Sequence, residues 1–243
     1  MRIFFCFLAA LFFLSSSPAA ATSDPLLTKH QRDVISYFRE IALGFEYGTA
    51  SAVTRKWNAP MKIYVSGDAT ESVLKELDLV IRELNSLATD GFYIERVGAK
   101  EISNFHMFFG TRAEFTEIYP ADIETVKKSS GIFRIFWNKE NYIQRGYAFI
   151  HTRTSEKEQR HAIREELTQA LGMGKDSYTY DDSIFQSRWT LPTEYAPIDR
   201  EIVRCLYHPL MKVGLTGQAV DEVLTTILLS HDHVVDLAVT IEP

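Results

Sequence analysis

The sequence predicts an α/β (α+β) fold, in which helices pack on one mixed β-sheet around a central helix and a helical C-terminal subdomain follows. Three observations lead there. Short alternating or β-branched runs interleave with helix-period runs over the first two thirds of the chain. The best amphipathic helix pattern lies between the first two strand patterns, as a crossover would. After Gly172 only connectors and helix patterns follow. The 243 residues are 46% hydrophobic and 24% charged, which suits a sizeable core in a single domain.

In order, Val34, Ile35, Phe38, Ile41 and Ala42 recur at helical spacing within 26–45, and Gly44 and Gly48 end that helix. Met61 to Val65 alternates and reads as a strand. A helix follows from Glu71 to Ala88, with Val73, Leu77, Val80, Ile81, Leu84 and Leu87 facing inward. Asp90-Gly91 breaks it, and Phe92 to Val97 reads as a second strand. Asn104 to Phe109 has a blurred alternation, which fits a strand covered on both faces. A short helix near Ala113 to Ile118 closes at Pro120. Gly131 to Trp137 and Tyr142 to His151 read as a β-hairpin. Ser155 and Glu158 have capping-box spacing at the start of the central helix. Met173 to Asp182 is a loop rich in Gly, Asp, Ser and Tyr. Pro197 opens a helix to about Tyr207, and Thr216 or Gly217 opens another to Leu229. His231 and His233 then fall in a tail.

The N-terminus reads as a secretory signal over 1–21: Arg2, an apolar run from Ile3 to Leu14, then Ala19-Ala20-Ala21 as an Ala-x-Ala cleavage site. The run is short for a membrane span, so no transmembrane segment is expected after cleavage. Cleavage leaves Cys205 as the only cysteine, within the apolar pattern Ile202, Val203, Leu206, where it reads as a buried thiol. A secreted chain without a disulfide suits the bacterial periplasm. A net charge of −6 with no basic run argues against nucleic acid as a partner. The organisation expected is the signal, an N-terminal helical extension over 22–59, and one domain over 60–243. That domain divides into a sheet-rich half (60–154), the central helix (155–172) and a C-terminal subdomain (173–243).

The central stretch is HAIREELTQALGMGKD, His161 to Asp176. Ile163, Leu167, Ala170 and Leu171 share one side of the helix. His161, Glu165 and Gln169 stack four residues apart on another, with Glu166 beside them and Gly172 as the C-cap. His161 pairs with Glu165 at i, i+4. A half-buried Glu165 or Glu166 needs a partner, for which Gln169 and Arg164 are the candidates.

This outline resembles a zinc-peptidase helix of the zincin and metzincin type, with the motif H-E-x-x-H-x-x-G-x-x-H. Glu166 matches the general base and Gly172 the glycine; Glu165 and Gln169 stand at the two histidine positions. Lys175 stands at the third-ligand position, with Asp176 one residue beyond. Downstream, Ser183-Ile184-Phe185 resembles the Met-turn. Leu191, Asp199 and Leu206-Tyr207 resemble the segment that follows it in matrix metalloproteases. The run Arg164 to Gly172, together with Ser183–Phe185, Asp199, Leu206–Pro209 and Gly214, is similar to the bacterial secreted family called domain of unknown function 2927, over roughly residues 60 to 230. That resemblance implies a zincin-like fold and supplies no activity.

Two functions are carried forward. One is a degenerate metallopeptidase homologue that binds an envelope protein or peptide partner through its cleft. The other is a metal-dependent hydrolase, with Glu166 as general base and Glu165, Gln169 and Asp176 around a metal; His161 and Arg164 are further cleft candidates. The oxygen-rich set would suit calcium, magnesium or manganese better than zinc, so the expectation is no cofactor, with zinc or another divalent ion as the alternative.

Overall fold

The computed structural model describes residues 27–45, 50–127, 129–188 and 190–239. The signal sequence and Gly48 lie outside the described residues. Thr28 begins the ordered part as the N-cap of α1 (Lys29–Ala42), in a capping box with Gln31. The short strand β1 (Lys56–Trp57) follows, then β2 (Met61–Gly67), α2 (Glu71–Leu87), β3 (Ile94–Val97) and β4 (Phe105–Gly110). Next come α3 (Arg112–Ile118), α4 (Ile123–Val126), β5 (Gly131–Trp137) and β6 (Tyr142–His151). The helices α5 (Glu156–Gln169), α6 (Pro197–Leu206) and α7 (Gly217–Val239) complete the order.

The strands form one six-stranded mixed sheet in the order β1-β6-β4-β2-β3, with β5 added to β6. β5 is the antiparallel member; the other pairings are parallel. Period-two alternation divides the sheet into two faces. Phe105, Met107, Phe109, Ala148 and Ile150 join the main core with α1, α2, α5, α6 and α7. Phe108 and Phe149 point the other way and pack with Phe115, Val126 and Ile132 under α3 and α4. β4 is therefore buried along its whole length, as its blurred alternation predicted.

The chain departs from the sequence reading in two places. The segment before residue 60 contains a strand as well as a helix: Lys56 and Trp57 pair with Tyr142 and Ile143, a run too short to show a period. The last helix does not stop at Leu229 but continues to Val239, so the backbone at His231 and His233 is helical. No glycine or proline interrupts 218–242, so nothing in that stretch ends the helix.

Candidate functional site

Ser155 and Glu158 form the expected capping box, which fixes where α5 begins. Its other end is held by side chains from distant elements. The Trp57 indole N–H donates to the Ala170 carbonyl at 2.9 Å, and the Tyr207 hydroxyl donates to the Leu171 carbonyl at 2.9 Å. These satisfy two of the carbonyls a helix leaves open. Gly172 then turns the chain at φ +114°, and a Cβ there would lie 2.1 Å from the Arg55 carbonyl oxygen. Only glycine accommodates both the left-handed turn and the close passage before β1.

Anchored in this way, α5 presents three flanks. Ile163, Leu167, Ala170 and Leu171 enter the core. Arg164 and Thr168 face α2 and the 193–195 segment. His161, Glu165, Glu166 and Gln169 line a cleft of about 760 Å³ between α5 and β5. Asp176, Gly174 and residues 186–188 and 190–191 form its far wall, and Phe45 and Trp137 close one end. A Cβ on Gly131 would lie 2.6 Å from Glu166 Oε1, so this glycine lets the carboxylate sit against the start of β5.

The polar groups of the helix are committed to one another. His161 Nδ1 donates to the Pro192 carbonyl at 2.9 Å, and Nε2 approaches Glu165 Oε2 at 3.3 Å. Both ring nitrogens thus face acceptors, which suits the imidazolium. Burial pulls the His161 pKa down, but Glu165, through its hydrogen bond and charge, and the Pro192 carbonyl outweigh it, so the net shift is upward from 6.5. Gln169 Nε2 donates to Asp176 Oδ1 at 2.6 Å.

Two sequence expectations are corrected here. Arg164 does not reach the cleft. It is fully buried on the opposite flank, bound to Glu76 at 3.0 Å and to Glu83, with its guanidinium 4.5 Å from the centre of the Tyr195 ring. Glu76 and Glu83 are seven residues apart on α2 and border its apolar stripe; that spacing is the signal that could have placed Arg164. Nor does Gln169 serve Glu165: its amide turns to Asp176, because Gly172 brings the following loop back along the helix.

These residues do not fit a zinc ion. Gln169 presents an N–H towards Asp176, and Glu165 is held by an imidazole N–H. Among the described residues no group of three or more His, Cys, Asp or Glu is gathered in a way that could hold a metal.

The far wall rests on a second network that the sequence reading located only in outline. Asp199 is fully buried at the start of α6. It accepts from Ser183 Oγ at 2.7 Å, the Ile184 N–H at 3.1 Å and the Ala196 N–H at 3.0 Å. Tyr37 Oη lies 2.7 Å from Ser183 Oγ, which ties α1 to the same point. Burial pushes the Asp199 carboxyl up to about 6 against the pull of these bonds.

The remaining candidates lie elsewhere. His106 sits between Ser66 Oγ at 2.7 Å and Tyr119 Oη at 2.8 Å, and burial lowers its pKa to about 4. His151 Nε2 faces Arg112 Nη1 at 3.0 Å. Cys205 is 1% exposed, and burial pushes its thiol up to about 12, so it is a packed and unreactive group. Sequence reasoning missed the stack of Trp137 on Phe45, with centroids 5.3 Å apart and planes at 2°, because Phe45 lies in a loop far away in sequence.

The model of the family described as "Protein of unknown function (DUF2927)" matches residues 31–226. The curated proteins contain no match to the chain. Among solved structures the chain is similar to myroilysin, with 11% identity, covering 76% of this chain and 99% of that one, at a TM-score of 0.41.

Proposed function

The chain belongs to the DUF2927 family, and from that premise we propose that it is an exported, periplasmic protein that binds an extended segment of a protein partner in the cleft between α5 and β5. The observation that carries this reading is the outer edge of β5. His151 N–H donates to the Ser130 carbonyl at 2.8 Å, while Gly146 N–H turns the other way, to Asn104 at 3.0 Å. By antiparallel alternation Ile132, Arg134 and Phe136 face β6. Gly131, Phe133 and Ile135 therefore turn their backbone N–H and C=O groups outward, above the cleft. Among the described residues no strand pairs with that edge. An unpaired edge over a cleft is a template for an added strand.

We read the fold as zincin-like on the order of its parts: the strand-rich half, the central helix, the Ser183–Phe185 turn and the Asp199 helix. The pairings His161–Glu165 and Gln169–Asp176 favour binding over metal-dependent hydrolysis by Glu166. The signal at 1–21 supports export, and no described helix is long and apolar enough to cross a membrane.

The experiment combines two measurements on protein purified without chelators. Elemental analysis is expected to find well under one equivalent of zinc, and a casein assay no turnover. Stoichiometric metal, together with hydrolysis lost in Glu166→Gln, would replace binding with the hydrolase. Retention of Met1 in the exported protein would refute signal cleavage.

A further inference from the structure

The charge of the cleft says what kind of segment would lie there; this step rests on the binding role argued above. Four carboxylates line it: Glu158, Glu165, Glu166 and Asp176. His161 offsets Glu165 at 3.3 Å. The two arginines of the lining are drawn to aspartates outside it, Arg134 to Asp122 at 2.9 Å and Arg188 to Asp181 at 3.3 Å. The described lining therefore keeps a negative surplus on the α5 side, below the outward edge of β5.

We propose that the cleft selects a basic extended segment, whose lysine or arginine side chain reaches from the β5 edge down to the carboxylates of α5 and Asp176. Three features place that side chain. A strand added at Gly131, Phe133 and Ile135 directs alternate side chains towards α5. Gly131 leaves the space above Glu166 free of a side chain, since a Cβ there would lie 2.6 Å from the carboxylate. Across the cleft, Thr190 Oγ1 is buried with no hydrogen-bond partner among the described residues, so it offers a further polar contact to an incoming chain. An apolar residue of the same segment would lie over the stacked rings of Phe45 and Trp137, the latter 37% exposed. A long-range charge match would also speed encounter with a basic partner, since the whole chain carries −6.

The test uses three synthetic peptides with one alternating Thr-Val sequence and a central arginine, citrulline or glutamate, each labelled for fluorescence anisotropy. The arginine peptide is expected to bind roughly tenfold tighter than the citrulline peptide, and the glutamate peptide most weakly. The gap should close at about 0.5 M salt and narrow in Glu166→Gln and Asp176→Asn. Phe133→Pro removes an outward N–H without touching the β6 ladder and should weaken all three peptides more than Phe133→Ala does. Melting curves by circular dichroism confirm that each variant is folded. Equal binding of the arginine and citrulline peptides, with both weakened by Phe133→Pro, would overturn the charge selection and leave the cleft reading standing. If no peptide binds folded wild-type protein, both fall.

Discussion

Gln169 donates its side-chain N–H to Asp176 Oδ1 at 2.6 Å, which ties the last turn of α5 to the loop that forms the far wall of the cleft. Gln169 is 6% exposed, so the bond lies in a weakly screened setting. A hydrogen bond to a charged group contributes about 1.5–3 kcal/mol. Gln169→Ala and Asp176→Ala should each lower stability by about that amount, and the double variant should cost clearly less than the sum. Urea denaturation of the four proteins measures this; strictly additive losses would mean that the two side chains do not act as a pair.

How much of this was legible in the sequence depended on the range of the interaction. The pattern Val73, Leu77, Val80, Ile81, Leu84, Leu87 placed α2, and the Ser155–Glu158 spacing placed the start of α5, because both signals are local. The His161–Glu165 pair was readable for the same reason, lying at i, i+4 on one face. Arg164 was misplaced because its partners Glu76 and Glu83 come from another helix, and sequence spacing does not say which flank of α5 meets which neighbour. β1 escaped because two residues show no period. The outward edge of β5 was also hidden: the hairpin was predicted, but which side of β5 stays unpaired is decided by β4 taking the other side of β6.

Asp199 gives the second prediction. It closes three hydrogen bonds from Ser183, Ile184 and Ala196 in a site without solvent. Asp199→Ala strands all three donors, at about 1–3 kcal/mol for each one left unsatisfied. The loss should therefore be at least about 3 kcal/mol, larger than for either Gln169→Ala or Asp176→Ala, and it should be read as a fall in the denaturation midpoint. The pH dependence has a definite sign. The folded carboxyl titrates at about 6 against an ordinary value of 3.8, so the folded state holds this proton more tightly than the unfolded chain. The contribution of Asp199 to stability is then greatest below about pH 3.8 and declines as pH rises to about 6. Comparing wild type with Asp199→Asn across that window should show the decline in wild type only; parallel curves would assign it to other groups.

His161 gives the third. Its two ring nitrogens hold Glu165 and the Pro192 carbonyl together, so it joins α5 to the chain that continues from the far wall of the cleft. Only the imidazolium has an N–H for each acceptor, and neutral imidazole must give up one of them. The folded pKa is raised above 6.5, so the pair contributes fully below that value and is lost as pH rises through the folded pKa. Asp176 also raises it, so Asp176→Asn should bring the titration down towards neutrality. Following the His161 ring protons by NMR from pH 5 to 9 gives the pKa directly, and denaturation midpoints of wild type and His161→Gln over the same range give its effect on stability. The two midpoint curves should lie apart in acid and converge in base. Convergence in acid instead would mean that the neutral ring is the form the fold prefers, with Glu165 held by some other group.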